Sequence, residues 1–569
     1  MTNQAYQVSC KLIDRQWANA AIQSCLNRGI DHFFLAPGSR CTPLTLAVAR
    51  HKQAKVIQHF DERGLAFAAL GYAKATGKPG VFICTSGTAV ANALPAVIEA
   101  AMEKVPLLLF TADRPDELHG IGANQAINQQ DIFGDHVELF LNLPAPQDKD
   151  VTQDPSGKEF LASSLGRCFT SALAGPVHVN WMFREPFSIA EDDEGSRGLG
   201  LSDVISNPGI PANDSRQTSA TSIKVTGNTL IALGRCNFAQ AQEAISLAKT
   251  LKCPIVSDVC SGLSIGSFEL PSEFSLPRPD TILHLGDRFV SKSWLAWTRS
   301  VHDQGTQFFH LTPTGQTINP SGLDLLQHVL PLANLSETVS GTPTETEFLS
   351  VWQKTNELRN EIITEQLGKL NTMSEPAIAH SISRICQPTD GLFVGNSMPI
   401  RDLDWFGAGR REQVRLIAAN RGASGIDGLL ATATGYASGL ERLVTVLIGD
   451  LSSLHDLNSL ALVSQSPCPM IIVIVNNHGG HIFDLLPIQK SPHFERYFNT
   501  PHPFRFEHAA KMFNLDYQCI EDIGTFEQQY QRACSDGKTT IFELLTSRQQ
   551  NIETRQTIRE AIQKCSSQI

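Results

Sequence analysis

Short apolar runs without polar alternation recur along the chain, and each closes on turn residues. They are HFFLAPGS, VIQHFDERG, GVFICTSG and VPLLLFTADRP early on, then NTLIALGR, CPIVSDV, TILHLGD and TQFFHLT, and finally GLFVGNS, VRLIAAN, LVTVLIGD, MIIVIVNN and TTIFELL. A strand that is apolar on both faces must be covered on both faces, a condition met by a parallel sheet between two layers of helices. Ala-rich segments with helical periodicity lie between the runs, such as Arg63 to Thr76, closed by Gly77. The expected fold class is α/β, with three doubly wound domains and mainly parallel sheets. Ligands of such sheets bind beyond the carboxyl ends of the strands, where these turn residues fall.

Polar stretches mark the boundaries. Residues 191–222 (EDDEGSRGLGLSDVISNPGIPANDSRQTSATS) are rich in Gly, Pro, Ser and Asp and read as a linker. The similar string SETVSGTPTETE at 336–347 opens a second linker, taken to residue 360. The domains expected are 1–190, 223–335 and 361–569, since 569 residues suit three or four units of roughly 150. A net charge of -11 argues against general nucleic-acid binding, which needs an excess of Lys and Arg, but permits a local basic pocket. The 13 scattered cysteines, with no C-x-x-C pair, suit free thiols in a reducing compartment. No basic region precedes an apolar run at the N-terminus, and no apolar stretch nears the ~20 residues of a membrane span. A cytoplasmic location is expected.

The densest chemical signal lies in the last third. The run LVTVLI leads into Gly449, Asp450 and Leu451, and MIIVIV leads into Asn476 and Asn477. A carboxylate and an amide oxygen at two strand ends are hard donors of the kind Mg²⁺ prefers, and Mg²⁺ commonly completes its octahedron with phosphate oxygens and water. Gly479 and Gly480 let the backbone approach closely and offer a carbonyl. Each half also has an ordinary use: Asp after a strand caps a helix, and Asn-Asn before His-Gly-Gly makes a turn. The separation of Gly449 from Asn477 suits one strand–helix–strand unit, which would bring the halves together.

This Gly-Asp-x … Asn-Asn pattern resembles the signature of thiamine-diphosphate enzymes. The resemblance implies that Asp450, the Asn477 side chain and the Gly479 carbonyl hold Mg²⁺ or Mn²⁺, with Gly449 beside the diphosphate. The third signature position, usually Gly, is Leu451 here, which requires a turn with negative φ. An acid must also face the aminopyrimidine ring and favour its imino tautomer, and Glu62 in HFDERG is the candidate, its carboxyl raised by burial. Read from the residues alone, Asp61 could cap a helix and Glu62 merely complement its dipole. In this superfamily the Glu and the metal site come from different subunits, so a homodimer or homotetramer with active sites at the subunit interface is implied.

Longer strings narrow the resemblance. APGSRCTPLTLA (36–47), FDERG (60–64), TSGTAVANALPAVIEA (85–100), FTADRPDEL (110–118) and GANQAI (122–127) come first. VGNSMPIRDLD (394–404), NRGASGIDGLLATA (420–433), IGDLSSLHDLNSLAL (448–462) and NNHGGHIFDLLP (476–487) follow. In this order they are similar to the 2-succinyl-5-enolpyruvyl-6-hydroxy-3-cyclohexene-1-carboxylate synthase family of menaquinone biosynthesis. These are transferases that decarboxylate 2-oxoglutarate on thiamine diphosphate and add the succinyl carbanion equivalent to isochorismate. Both substrates are dianions, which calls for fixed cations, preferably Arg for bidentate carboxylate binding.

Carried onto this sequence, the resemblance gives Arg401 and Arg421 the succinyl carboxylate, and Ser39, Arg40, Arg114, Asn124 and Lys292 the isochorismate. Gln125 and Ser397 would touch the reacting centre with Glu62, Ile426 would bend the cofactor, and Ile482, Phe483 and Leu486 would line its apolar wall. Ser293 stands where the family has a second basic residue. Simple decarboxylases of the superfamily use an adjacent His pair, absent from the 17 histidines here. GYAKATGKP (71–79) is one residue too long for a phosphate loop and ends in Pro79, so it reads as a helix with a C-terminal Gly.

Overall fold

The computed structural model describes residues 3–146, 155–187, 222–263, 270–408 and 414–566. The first expected linker lies, but for Ser222, outside the described residues. Nineteen strands appear among them, and every pairing is parallel.

The first sheet has the order β2-β1-β3-β4-β6-β5. Its strands are β1 (His32–Leu35), β2 (Lys55–Gln58), β3 (Gly80–Cys84), β4 (Leu107–Asp113), β5 (Leu139–Leu143) and β6 (Pro176–Met182). In β1, β3, β4 and β6 every residue is buried, as continuous apolar runs require. β2 is an edge strand and largely exposed. The short pair is β7 (Ile223–Val225) with β13 (Val339–Gly341). The central sheet runs β12-β11-β10-β8-β9, with β8 (Thr229–Leu233), β9 (Ile255–Ser257), β10 (Thr281–Leu285), β11 (Gln307–Thr312) and β12 (Leu326–Val329). The last runs β15-β14-β16-β17-β19-β18, with β14 (Gly391–Val394), β15 (Leu416–Ala418), β16 (Val444–Gly449), β17 (Met470–Asn476), β18 (Asp516–Ile520) and β19 (Thr540–Leu545).

The second expected linker, 336–360, is not one. It contains β13 and most of the helix Thr346–Leu370. The Ser, Thr, Glu and Gly of 336–347 dominate its composition, but Val339, Phe348 and Trp352 are buried and hold it in place. GYAKATGKP is helical: the helix Glu62–Thr76 ends on Gly77, whose φ of 70° and N–H bond to the Ala73 carbonyl close it.

The compact units of the chain do not follow chain order. One comprises Met1–Ser215 with Asn420–Glu441 and Asp456–Pro467; the other holds the rest. Within the first unit the helix Leu429–Leu440 crosses the helix Glu62–Thr76 backbone to backbone. A Cβ on Gly71 would stand 1.9 Å from the Thr432 carbonyl oxygen, and one on Gly435 1.8 Å from that of Ala68. Glycine is needed on both sides because no side chain fits between the helices.

Gly435→Ala is therefore expected to destabilise the protein by about 1–3 kcal/mol through overpacking, read as a lower urea midpoint at unchanged slope. An unchanged midpoint would show that the crossing has slack.

Candidate active site

In the first unit, polar groups gather at the carboxyl ends of β1, β3 and β4. Ser39 and Arg40 follow β1, Ser86 and Gly87 follow β3, and Arg114 follows β4. The Arg114 guanidinium reaches the Ser86 hydroxyl, and the Gln125 side chain donates to the Ser86 carbonyl at 2.8 Å. Gln125 sits at φ 57° against Gly87, where a Cβ would meet the Gln125 Cγ at 2.8 Å. Asn124 and Ser39 are exposed beside them. Ser39, Arg114 and Gln125 thus share one edge, with Asn124 next to Gln125.

Arg40 departs from its expected role. It is buried, and its guanidinium donates to the Phe183 carbonyl at 2.9 Å and to Glu185 at 2.7 Å. It braces the end of β6, whereas the resemblance has it facing isochorismate.

A buried polar network underlies this edge and was missed. Gln129 accepts the Gly87 N–H at 2.8 Å and donates to Asn180 at 2.8 Å. Asn180 donates to Asp113 at 2.9 Å, and Asp113 accepts the Arg114 N–H at 2.7 Å. The signal was His178 and Asn180 within the otherwise apolar PVHVNWM of β6. Burial lowers His178 to about 3, so it remains neutral where it meets Thr111 at 2.7 Å.

Glu62 is the first residue of its helix, and Asp61 caps it by accepting the Arg63 N–H at 3.0 Å. The capping use belongs to Asp61. The Glu62 side chain makes no hydrogen bond or ion pair among the described residues, and its charge is felt by Cys41 and Cys84, whose thiols burial above all pushes up. Glu62 was expected to be buried; in this chain it is half-buried, because it follows the exposed edge strand β2. Phe60, two residues before Glu62, is 62% exposed. Ile426 is also exposed, and Arg421 is half-buried in the loop before the helix Leu429–Leu440.

In the second unit, β14, β16 and β17 present their carboxyl ends together. Ser397 precedes the helix Met398–Phe406 at φ 71°, a left-handed conformation uncommon outside glycine, and Arg401 donates to its carbonyl at 2.6 Å. Ile482, Phe483 and Leu486 follow in a 3₁₀ turn and its end, the first two half-buried and Leu486 exposed. Lys292 is exposed at the start of the helix Lys292–Asp303, which Ser291 caps.

Asp450 follows β16 as the first residue of the helix Asp450–His455 and is buried. Its Oδ1 accepts the Leu451 N–H at 2.6 Å and its Oδ2 the Gly479 N–H at 3.1 Å. Burial pushes its carboxyl up, opposed by those N–H groups and by His502, whose Nε2 lies 3.2 Å from Oδ2. Leu451 lies within the helix Asp450–His455 and keeps a negative φ, so the departure from Gly costs no strain. The Asn477 amide donates from Nδ2 to Glu375 at 2.6 Å, and its Oδ1 accepts the Gly479 N–H at 3.1 Å. Glu375 therefore dictates which end of the amide is oxygen. Glu375 is itself held by Arg555, which also bonds Asp402 at 2.6 Å; these two carboxylates keep the Arg555 charge in place. Nothing in the sequence near residue 477 announces a partner at residue 375.

Among the described residues no group of three or more His, Cys, Asp or Glu side chains is arranged to hold a metal. A cation here would rest on one carboxylate, one amide oxygen and a carbonyl. The donors fit a hard divalent ion that keeps further positions for phosphate oxygens.

Residues 15–132 match the thiamine pyrophosphate enzyme N-terminal TPP binding domain, and residues 410–544 match the C-terminal TPP binding domain. The chain is similar to 2-succinyl-5-enolpyruvyl-6-hydroxy-3-cyclohexene-1-carboxylate synthases. It is 36% identical to that of Rubrobacter xylanophilus, over 95% of this chain and 96% of the relative. With the Salinibacter ruber protein the identity is 35%, over 96% of each chain. With that of Prosthecochloris aestuarii it is 33%, over 97% of this chain and 98% of the relative.

If Glu375 sets the Asn477 amide, Glu375→Gln should weaken Mg²⁺ about 10–100-fold, as loss of an outer partner typically does. Titrating Mg²⁺ at fixed thiamine diphosphate, with thermal shift as the readout, checks this. An unmoved titration would show that Asn477 orients without it.

Proposed function

The chain belongs to the 2-succinyl-5-enolpyruvyl-6-hydroxy-3-cyclohexene-1-carboxylate synthase family, a thiamine-diphosphate-dependent group, and from that premise we propose that it decarboxylates 2-oxoglutarate and adds the succinyl unit to isochorismate in a 1,4-addition. The observation that supports this best is the set of arginines and hard oxygen donors at strand ends, in a chain related to these synthases along nearly its full length. When bound, thiamine diphosphate supplies the nucleophilic carbon and the electron sink that decarboxylation of a 2-oxo acid requires.

The residues divide the remaining work. Asp450, Asn477 Oδ1 and the Gly479 carbonyl would hold Mg²⁺ or Mn²⁺, and Gly449, the last residue of β16, would let the diphosphate approach. Ile482, Phe483, Leu486 and Ile426 exclude water around the thiamine. Glu62 holds a proton against the aminopyrimidine nitrogen. Arg401 and Arg421 grip the distal carboxylate of 2-oxoglutarate in forked geometry. Ser39, Arg114, Asn124 and Lys292 orient isochorismate, with Arg40 acting through its brace on the end of β6. Gln125 and the Ser397 hydroxyl face the reacting carbons.

A homodimer or homotetramer is part of the proposal. The exposed Phe60, two residues from a half-buried Glu62, suits a second subunit closing over that edge. The division into 1–190, 223–335 and 361–569 is retained, since each span carries one of the larger parallel sheets. A reducing, cytoplasmic setting suits the free thiols of the described cysteines. No helix among the described residues is long and apolar enough to cross a membrane.

Purified protein with thiamine diphosphate and Mg²⁺ should release CO₂ from 2-oxoglutarate and form the adduct only when isochorismate is added. Fast CO₂ release without adduct in its presence would point to a simple decarboxylase. Glu62→Gln should leave the fold intact and lower turnover by about 10²–10⁴-fold, the usual worth of a positioned proton-transfer group. Near-normal turnover in that variant would remove Glu62 from its role.

A further inference from the structure

The loop that carries Arg421 is held by buried charges whose role the assigned site does not explain. Glu103 accepts the Arg421 N–H at 2.7 Å. Glu99, one turn earlier on the helix Leu94–Glu103, accepts the Gly422 N–H on one oxygen and the Ala423 N–H on the other, both at 2.7 Å. Consecutive amides of a turn form a concavity that favours an anion, and here a protein carboxylate fills it. Lys74, in the last turn of the helix that begins at Glu62, ion-pairs with Glu103 and lies 3.8 Å from Glu99. The three side chains are 7% or less exposed.

Burying two carboxylates and an ammonium costs desolvation energy, and apolar residues of similar size would serve stability as well. Their arrangement does something apolar residues cannot. It fixes the successive amides of Arg421, Gly422 and Ala423, and hence the direction in which the Arg421 side chain leaves the loop. Gly422 completes the fit: a Cβ there would stand 2.8 Å from the Glu99 carbonyl oxygen and 2.9 Å from the Met102 Cβ. The loop lies directly on the helix and cannot lift without losing all three bonds.

We propose that Glu99, Glu103 and Lys74 are positioning residues that set the Arg421 guanidinium for the distal carboxylate of the 2-oxo acid, and so determine the preference for a dicarboxylic substrate. The assignment rests on the functional reading above. Glu99→Gln is the informative substitution. It keeps the volume, but an amide can accept only one of the two N–H groups and turns its own N–H₂ toward the other.

The test compares 2-oxoglutarate with 2-oxopentanoate, which has the same carbon chain and no distal carboxylate, in holoenzyme supplied with isochorismate. Glu99→Gln is expected to raise KM for 2-oxoglutarate about tenfold at nearly constant kcat, the signature of lost substrate binding. KM for isochorismate and the kinetics with 2-oxopentanoate stay the same. Calorimetry with a phosphonate analogue of 2-oxoglutarate, which cannot decarboxylate, should show the same loss of affinity, while the thermal shift given by thiamine diphosphate with Mg²⁺ persists. Gly422→Ala, which lifts the loop without touching a charge, should reproduce the pattern and serves if Glu99→Gln does not fold. Equal losses with both oxo acids, or an unchanged KM in both variants, would overturn the assignment. A wild-type enzyme with no preference for 2-oxoglutarate would overturn the substrate reading itself, and this inference with it.

Discussion

Parallel pairing makes every strand of a sheet point the same way, so the residues that follow the strands collect along one edge. That constraint organises the rest of the molecule. In the first sheet it aligns the segments after β1, β3 and β4, bringing Ser39, Ser86 and Arg114 to the same edge. In the last sheet it sets Ser397, Asp450 and Asn477 at the ends of β14, β16 and β17, strands separated along the chain by whole helices. Chemistry-bearing groups can be scattered in sequence because the sheet does the gathering.

Aligning strand ends does not orient side chains. The structure does this with buried carboxylates that accept backbone or amide N–H groups. Asp113 fixes the Arg114 amide, and Asp456 accepts the Ala431 N–H at 3.0 Å near the start of the helix Leu429–Leu440. Burial raises Asp456 to about 6, so its hydrogen bonds and the nearby Arg63 charge are what favour its ionised form. Glu375 turns the Asn477 amide, and Glu99 with Glu103 grips the loop of Arg421. A bond of this kind is directional and strengthened by charge, whereas apolar packing holds position but tolerates rotation. Such bonds cluster around the proposed ligand-facing groups.

The apolar runs singled out in the sequence all became strands in the sheets, because a doubly covered strand leaves no other place for so many Val, Ile, Leu and Phe residues. Six strands are not among those runs: β5, β12 and β18 are edge strands with half-exposed, mixed sequences, β7 and β13 are only three residues long, and β6, though buried throughout, is interrupted by His178 and Asn180. The segment 336–360 misled because its polar composition outweighed a few buried anchors. Asp450, Asn477 and Glu62 stood out because short motifs around turns keep their spacing whatever surrounds them. Arg40 could not be judged in the same way, since Phe183 and Glu185, which hold it, lie more than 140 residues away.

By itself the sequence determined the alternation of strand and helix, the parallel character of the sheets and the chemical kind of group waiting at each strand end. These follow from local hydrophobic pattern and turn residues, which act over a few positions. Only the tertiary structure decided that the helix Leu429–Leu440 packs with the first unit, which arginine is already engaged, and which way the Asn477 amide faces. Those outcomes rest on contacts between distant residues, on glycines that let two backbones touch and on carboxylates buried beside amides. No local pattern encodes such contacts.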